Sequence, residues 1–234
     1  QGLTRISLGV QDFDSEVLRL VNRPQPFELT ATLCAMARAA GYQSINFDLI
    51  YGLPGQTPGK MSRLADQVIE LRPDRLAVYS FARVPWIKPA QRKFKDEDVP
   101  AGEAKRALYE VLRDRLMAAG YEEIGMDHFA LPHDTLAQSA RHGALHRNFM
   151  GYTDRRTTAL LGLGVSAISE TPECYHQNEK VITVYERRVA SGEVPTLRGH
   201  LLSDDDRHRA GRIRELMTRG RVPVSAGDFA AEGP

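Results

Sequence analysis

Hydrophobic positions along the first 130 residues recur with two periods in turn, every second residue and then every three to four residues. This alternation predicts strands that are each followed by a helix. The predicted strands are Ile6–Val10, Ser44–Ile50, Arg75–Phe81 and Glu123–Met126, and the predicted helices are Glu16–Val21, Phe27–Ala40, Pro58–Leu71 and Ala101–Ala119. Strands separated by helices, at spacings of roughly 30–40 residues, indicate βα units in a parallel sheet. The periodicity allows either a closed barrel or an open doubly wound sheet.

Turn and cap residues agree with these boundaries. Thr57 is suited to cap the helix that starts at Pro58, where the missing N–H of proline costs nothing. Gly41 and Gly120 follow two helices at the position that favours a left-handed backbone.

The pattern is less regular after Phe129. Leu160–Ile168 is an apolar run of small residues, Glu179–Ala190 is predicted as a helix, and a last helix starts after Ser203 and runs to about Arg219. We divide the chain into residues 1–203, a barrel-type portion, and residues 204–234, a shorter helical segment.

Composition excludes several classes of protein. The chain is 42% hydrophobic and 26% charged, which is ordinary for a soluble globular protein. No apolar run reaches the roughly 18 residues that a membrane span needs. Acidic and basic residues are interleaved and the net charge is +1, so no nucleic-acid-binding stripe is predicted.

Arginine and cysteine usage narrow the class further. Arginine outnumbers lysine by 25 to 6, which suits an acidic substrate, although the favoured explanation is the codon usage of a GC-rich genome. Cys34 and Cys174 form no CxxC or CxxxC motif, so the two thiolates predict neither a metal cluster nor a disulfide scaffold. A reducing cytoplasm fits this usage.

Candidate chemistry is expected where parallel strands end, because working residues of parallel α/β folds lie there. These positions hold Gln11, Asp12, Asp48, the Tyr51–Thr57 loop, Ala82, Arg83, Asp127 and His128. Alternation along Ser44–Ile50 places Asp48 on the face opposite Ile45, Phe47 and Leu49. A carboxylate on such a strand binds either a ligand or neighbouring backbone groups. The two glycines of the Tyr51–Thr57 loop suit either the close approach of a ligand or a simple turn.

The histidines permit two interpretations. His142 and His146 are four residues apart, as zinc ligands on a helix would be, but no third ligand with a known spacing accompanies them. Nearby arginines favour the other interpretation, a segment that contacts a polycarboxylate. They are Arg141, Arg147, Arg155 and Arg156.

Six strings, in order, resemble the oxygen-independent coproporphyrinogen III oxidases, radical S-adenosylmethionine enzymes of haem synthesis. They are ISLGVQDF at 6–13, LVNR at 20–23, DLIYGLP at 48–54, IGMDHFA at 124–130, HRNF at 146–149 and LGLGVSAIS at 161–169. The resemblance covers about residues 4–203. Related haem chaperones share the first and third strings and differ at the segments around Asp127 and His146.

The resemblance implies an α/β fold, a partial (β/α) TIM-like barrel of the radical S-adenosylmethionine type with a shortened helical C-terminal segment. It implies a [4Fe–4S] cluster on a CxxxCxxC loop, expected upstream of Gln1, and two S-adenosylmethionine molecules. One ligates the cluster and yields a 5′-deoxyadenosyl radical. That radical starts the oxidative decarboxylation of coproporphyrinogen III propionates to vinyls, which gives protoporphyrinogen IX.

Residue roles follow only where positions match the family. Gln11, Arg23 and Asp48 are expected to bind the second S-adenosylmethionine, and Ala82 and Ile168 to contact the cluster-bound one. No metal ligand and no catalytic residue is assigned within this chain. Met150 stands where the family is expected to have glutamine, so a polar role is not carried over there.

The resemblance also implies an electron donor such as flavodoxin or ferredoxin, a cytoplasmic location, and a monomer that contacts neither nucleic acid nor membrane. Two alternatives remain open at this stage. One is a haem-binding or haem-trafficking protein on the same barrel, and the other is an inactive fragment.

Overall fold

The structure, a computed structural model, describes residues 2–223. The chain divides into two compact units, unit 1 (Gln1–Gln138) and unit 2 (Ser139–Pro234). The division at 203/204 stays a prediction about domains of the family, and residues 224–234 of its second segment lie outside the described residues. Among the helices of the described part, none has the length and apolar character that a membrane crossing requires.

Unit 1 contains the predicted βα repeats. Its strands are β1 (Arg5–Gln11), β2 (Ser44–Tyr51), β3 (Arg75–Ser80), β4 (Glu122–Ile124) and β5 (His128–Ala130). Its helices are α1 (Ser15–Leu20), α2 (Phe27–Ala39), α3 (Pro58–Leu71) and α4 (Gly102–Ala118). A further helix, α5 (Thr135–Arg141), begins in unit 1 and ends beyond Gln138, the last residue of that unit. The predicted helix Pro58–Leu71 is confirmed at both ends, and the other long helices of this unit are confirmed to within a residue or so.

The helix ends have identifiable causes. The Thr57 hydroxyl accepts from the Lys60 amide at 3.3 Å and caps α3 as predicted. Gly41 and Gly120, which follow α2 and α4, have φ of 86° and 90° and turn the chain in the left-handed conformation. α1 is capped by Asp14, whose carboxylate accepts from the amides of Glu16 and Val17.

The five strands of unit 1 form one sheet in the order β1-β2-β3-β5-β4. β1, β2 and β3 are parallel, as the βα pattern predicts. The fourth predicted strand was expected to continue this parallel pattern, and that expectation is wrong. It is a short hairpin in which β5 pairs antiparallel with both β3 and β4. Gly125, with φ of 65°, turns the chain immediately after β4, and so short a connection cannot make a parallel crossover.

The core of unit 1 lies between the sheet and its helices. Ile45, Phe47 and Leu49 of β2 are each at most 1% exposed. They share one cluster with residues of the neighbouring strands and helices, including Leu76, Val78, Met61, Leu64, Leu108, Leu112 and Phe129. Burial of this apolar surface is the main favourable term for folding.

Unit 2 is built from shorter elements. Its strands are β6 (His146–Asn148), β7 (Gly151–Thr153), β8 (Ile168–Glu170), β9 (Cys174–Asn178) and β10 (Thr196–Leu201), and its helices are α6 (Ile182–Ala190) and α7 (Asp204–Arg219). β6 and β7 form a hairpin, and β10, β9 and β8 form an antiparallel sheet. Ser203 caps α7 in a capping box with Asp206, which confirms the predicted start of this helix.

Candidate functional site

One face of the unit 1 sheet carries the helices and the other carries polar residues. Alternation along β2 confirms the predicted orientation, since Ile45, Phe47 and Leu49 are buried and Asn46 and Asp48 are partly exposed. The pairing register places Gly9 of β1, Asp48 of β2, Ala77 of β3 and His128 of β5 in one row across the sheet. Asp48 therefore lies inside this row, between the small residues Gly9 and Ala77.

The Asp48 carboxylate is bonded to side chains of the same face. Ser7 donates its hydroxyl to Oδ2 at 3.2 Å, and the Asn46 amide donates to Oδ1 at 2.8 Å. The Asn46 amide also donates to the Ser7 hydroxyl at 2.9 Å, so the three polar groups form a small network. An ionised carboxylate has about four acceptor positions, so two bonds leave capacity for a ligand.

Gln11 and Arg23 meet over Gly9, the β1 residue opposite Asp48. Arg23 donates from Nη2 to the Gly9 carbonyl at 2.6 Å. A Cβ at position 9 would lie 3.0 Å from Arg23 Nη2 and 3.0 Å from Gln11 Nε2, so glycine allows both side chains to approach. Gln11 has φ of 69° and sits at an irregularity in the β1–β2 pairing, which redirects its side chain from the strand pattern. The structure thus brings Gln11, Arg23 and Asp48 around Gly9.

Ala82 follows β3 in an exposed loop that polar contacts hold in place. The Ala82 carbonyl accepts from Gln91 Nε2 at 3.0 Å. Lys105 of α4 donates to the carbonyl of the preceding residue, Phe81, at 2.7 Å. Burial lowers the pKa of Lys105. Ala82 has no polar side chain, so its contribution to a site is its backbone and its small size.

Ile168 lies in unit 2, at the start of β8. The Ile168 carbonyl lies 2.5 Å from the point where a Cβ on Gly162 would be, so only glycine allows this close passage of two backbone segments. Asn178 fixes the same loop by donating to the carbonyls of Gly162 at 3.1 Å and Gly164 at 2.9 Å. The apolar run Leu160–Ile168 is therefore an anchored loop up to Ile168, where β8 begins.

Sequence reasoning missed a buried polar link between two loops of unit 1. Gln56 donates from Nε2 to Asp12 Oδ2 at 2.6 Å and to the Ile50 carbonyl at 2.9 Å, while its Oε1 accepts from the Leu53 amide at 2.9 Å. Burial raises the pKa of Asp12 above its usual value. Both residues stand in the Gly-rich and strand-end segments singled out by sequence, but no periodicity pairs positions 12 and 56.

Asp127 and His128 were expected to follow a parallel strand, and the structure differs. Asp127 lies in the turn of the β4–β5 hairpin, and His128 is the first residue of β5. Asp127 Oδ1 and His128 Nδ1 are 2.6 Å apart. The His128 ring meets that of Tyr79 edge to face at 6.2 Å. Within residues 2–223, no three His, Cys, Asp or Glu side chains are grouped as a metal site would require.

Comparison with known proteins identifies what the chain as a whole is similar to. Residues 1–68 match the family model of the radical SAM superfamily. The solved structure of coproporphyrinogen III oxidase from Escherichia coli, described as a radical SAM enzyme, superposes with a TM-score of 0.89 at 47% identity over 94% of this chain and 51% of that chain. Residues 1–68 therefore resemble part of a radical SAM domain, and the predicted α/β fold of this type is confirmed.

Curated relatives indicate the particular family. The oxygen-independent coproporphyrinogen III oxidase of Pseudomonas aeruginosa is 46% identical over 216 residues, which are 92% of this chain and 47% of the relative. That of Paracoccus denitrificans is 43% identical over 216 residues, which are 92% of this chain and 48% of the relative. The predicted resemblance to oxygen-independent coproporphyrinogen III oxidases is confirmed, and the chain spans about half the length of these relatives.

Proposed function

We propose that this chain forms part of an oxygen-independent coproporphyrinogen III oxidase and supplies a binding site for S-adenosylmethionine. The observation that carries the proposal is the convergence of Gln11, Arg23 and Asp48 around Gly9 on the polar face of the sheet. A carboxylate and a guanidinium that both lie next to Gly9 suit a ligand that bears an amino acid group and ribose hydroxyls.

Each residue has a role that its chemistry allows. Arg23 keeps guanidinium donors beyond the one bound to the Gly9 carbonyl, and these can form a fork with the ligand carboxylate. Asp48 can accept from the ligand ammonium or from ribose hydroxyls, and Gln11 can bind through its amide. Ala82 and Ile168 remain proposed contacts of the cluster-bound S-adenosylmethionine, through backbone and apolar surface.

The described residues do not fit a [4Fe–4S] cluster. Cys34 is buried in the α2 face of the unit 1 core, and Cys174 belongs to β9 of unit 2. Clusters of this type need several cysteine thiolates. Under the proposal the cluster and its loop belong to residues outside the described part of the chain.

In the proposed reaction, propionate side chains of coproporphyrinogen III are oxidatively decarboxylated to vinyl groups, which gives protoporphyrinogen IX. S-adenosylmethionine, together with the cluster, supplies the radical that starts this reaction. The part of this chain is to bind and orient S-adenosylmethionine at the polar face. Cytoplasmic location, a flavodoxin-like or ferredoxin-like electron donor and a monomeric state are further parts of the proposal.

Replacing Asp48 with asparagine tests the site. The amide keeps the volume of the side chain but loses the charge, so S-adenosylmethionine should bind about tenfold more weakly, since a hydrogen bond to a charged group contributes roughly 1.5–3 kcal/mol. Asp114→Asn, on the exposed face of α4, serves as the control. Equilibrium binding and thermal melts are measured on the same preparations. If Asp48→Asn lowers the melting temperature while the affinity holds, Asp48 is structural and the assignment is wrong.

Haem titration separates this proposal from the haem-trafficking alternative. The oxidase proposal predicts S-adenosylmethionine binding that depends on Arg23 and Asp48. A haem-trafficking protein would instead bind haem tightly, with a Soret shift that neither substitution changes.

A further inference from the structure

Unit 2 contains a cavity of about 630 Å³. None of the residues proposed to contact S-adenosylmethionine lines it. Its walls come from β6, the loop before β8, β8 and β9 themselves, and one side of α7. The polar groups that define it are those of His146, Asn148, Arg156, Glu170, Tyr175 and Arg214. Its volume lies within the roughly 300–1,000 Å³ typical of small-molecule sites.

Two of the cationic groups in the wall lack protein partners. Among the described residues, the guanidinium groups of Arg156 and Arg214 make no hydrogen bond or ion pair. Arg207, which stands two turns before Arg214 on the same helix, shows the contrast. It donates to the Leu202 carbonyl at 2.7 Å and to Asp204 Oδ1 at 2.6 Å, so its charge is neutralised locally.

The electrostatics of His146 show that these charges act on the same space. Burial lowers the pKa of His146, and the positive charges of Arg214 and Arg156 lower it further, against the opposing effect of Glu170. Glu170 is the acidic residue of the lining, and its Oε2 accepts from the Phe149 amide at 3.3 Å. One carboxylate thus faces two unpaired guanidinium groups.

Neutral donors complete the lining. Asn148 uses its Oδ1 to accept from the Met150 amide at 2.9 Å, which turns its Nδ2 donors away from that bond. The hydroxyls of Thr157 and Thr158 and the phenol of Tyr175 line the same cavity. A surplus of donors over acceptors, with net positive charge, is the environment that a carboxylate requires.

We propose that this cavity binds carboxylate groups of an anionic substrate, with Arg156 and Arg214 as the charged anchors and His146, Asn148 and Tyr175 as further donors. The inference rests on the proposed function, in which the substrate is a tetrapyrrole with several propionate side chains. It adds to that function a substrate-binding site made entirely of unit 2 residues.

Two ligands test the carboxylate-binding cavity independently of the proposed oxidase function. Coproporphyrin III, the air-stable aromatic form of the substrate, is titrated by fluorescence. Propane-1,2,3-tricarboxylate, a small polycarboxylate, is titrated by calorimetry. Both are measured with the unaltered chain, with Arg156→Gln, with Arg214→Gln and with the double variant. Arg187→Gln, an exposed arginine of α6 outside the cavity, is the matched control, and circular dichroism melts verify that each variant is folded.

We expect the double variant to bind both probes at least about tenfold more weakly, with Arg187→Gln unchanged, since each guanidinium supplies a charge-assisted contact. If only the tricarboxylate binds and its affinity falls in the double variant, the cavity is supported and the tetrapyrrole part of the proposed function fails. If the double variant is folded and binds both probes as tightly as the unaltered chain, the cavity inference is overturned. Should Arg214→Gln not fold, Arg156→Gln alone decides, because Arg156 lies in an exposed loop.

Discussion

The two units of the chain reach their folds by different means. In unit 1 a sheet and its helices enclose an apolar core in which Phe47, Leu112 and Phe129 are fully buried. In unit 2 the helices α6 and α7 bury no residue, and the buried side chains of its strands include the polar Ser169 and Asn178. Apolar burial therefore stabilises unit 1, whereas hydrogen bonds to loops and helix caps contribute a larger share of the stability of unit 2.

The largest expected effect comes from a matched pair of leucines on long helices. Leu112 of α4 is 0% exposed and Leu216 of α7 is 50% exposed. Leu112→Ala leaves a cavity in a packed core and should lower the free energy of unfolding by about 2–5 kcal/mol. Leu216→Ala should change it by less than about 1 kcal/mol, because half of the side chain already contacts solvent. Urea denaturation followed by circular dichroism measures both.

Equal losses from the two substitutions would contradict the comparison. In that case the surface around Leu216 is buried by something that residues 2–223 do not supply, and the contrast between the units would not be intrinsic to their folds.

Asn178 tests the polar side of the comparison. It is 5% exposed and donates to the carbonyls of Gly162 and Gly164, which anchors the loop before β8. Asn178→Ala leaves these carbonyls without their donor and should cost about 1–3 kcal/mol. Asn148→Ala, partly exposed on β6, is the control and should cost less. Hydrogen exchange at the Gly162 amide, which donates to the Ser169 hydroxyl at 2.9 Å, should quicken only in Asn178→Ala.

The same contrast explains what the sequence could and could not predict. Long elements of unit 1 bury one face, so their hydrophobic period identified β1, β2, β3 and the helices. The strands of β4–β8 have three residues each, too few to show a period, and they were missed or given the wrong pairing.

In the candidate site, too, periodicity predicted one feature and not the others. Alternation along β2 predicted which face Asp48 occupies, because the buried residues beside it are strongly apolar. The approach of Arg23 to Gly9 depends on the turn after α1, where Asn22 has φ of 56°, and on the irregular pairing at Gln11. Local periodicity carries no information on these features, so the association of Gln11 and Arg23 with Asp48 came from the family resemblance alone.

Unit 1 also contains a buried polar link at Asp12, and this link should make the folding stability depend on pH. The Asp12 carboxylate accepts from the amides of Phe13 and Asp14 and from Gln56 Nε2. Burial raises its folded-state pKa above the value of about 3.8 for the unfolded chain. Between these two pKa values the folded state binds more protons than the unfolded state, so this group contributes a stability that is full below pH 3.8 and is lost as the pH rises through the folded pKa.

Asp12→Asn removes this titration. The difference in free energy of unfolding between the unaltered chain and the variant should therefore be largest at acidic pH and fall to a plateau above the folded pKa. On that plateau the variant should still be less stable, by about 1 kcal/mol, because its amide presents a donor to Gln56 where the carboxylate presented an acceptor. Asp114→Asn, at an exposed position of α4, is the control and should leave the free energy of unfolding almost unchanged. A difference that grows with pH would mean that the hydrogen bonds outweigh burial.

The smallest effect concerns His146, the polar group of unit 2 whose surroundings parallel those of Asp12. Burial lowers its pKa first, and Arg214 and Arg156 lower it further, while Glu170 opposes them. Arg214→Gln and Arg156→Gln should each raise the His146 pKa, and Glu170→Gln should lower it, as followed by the ring proton shifts in an NMR titration. Because the folded pKa lies below the unfolded value, the folded state binds fewer protons between the two, so His146 costs stability once the pH falls below about 6.5. A smaller loss of stability at acidic pH in the two arginine variants would show that the charges of the arginines, in addition to burial, lower the pKa of His146. A His146 pKa that none of the three substitutions moves would leave burial as its single cause and would separate His146 electrically from the arginines of the cavity.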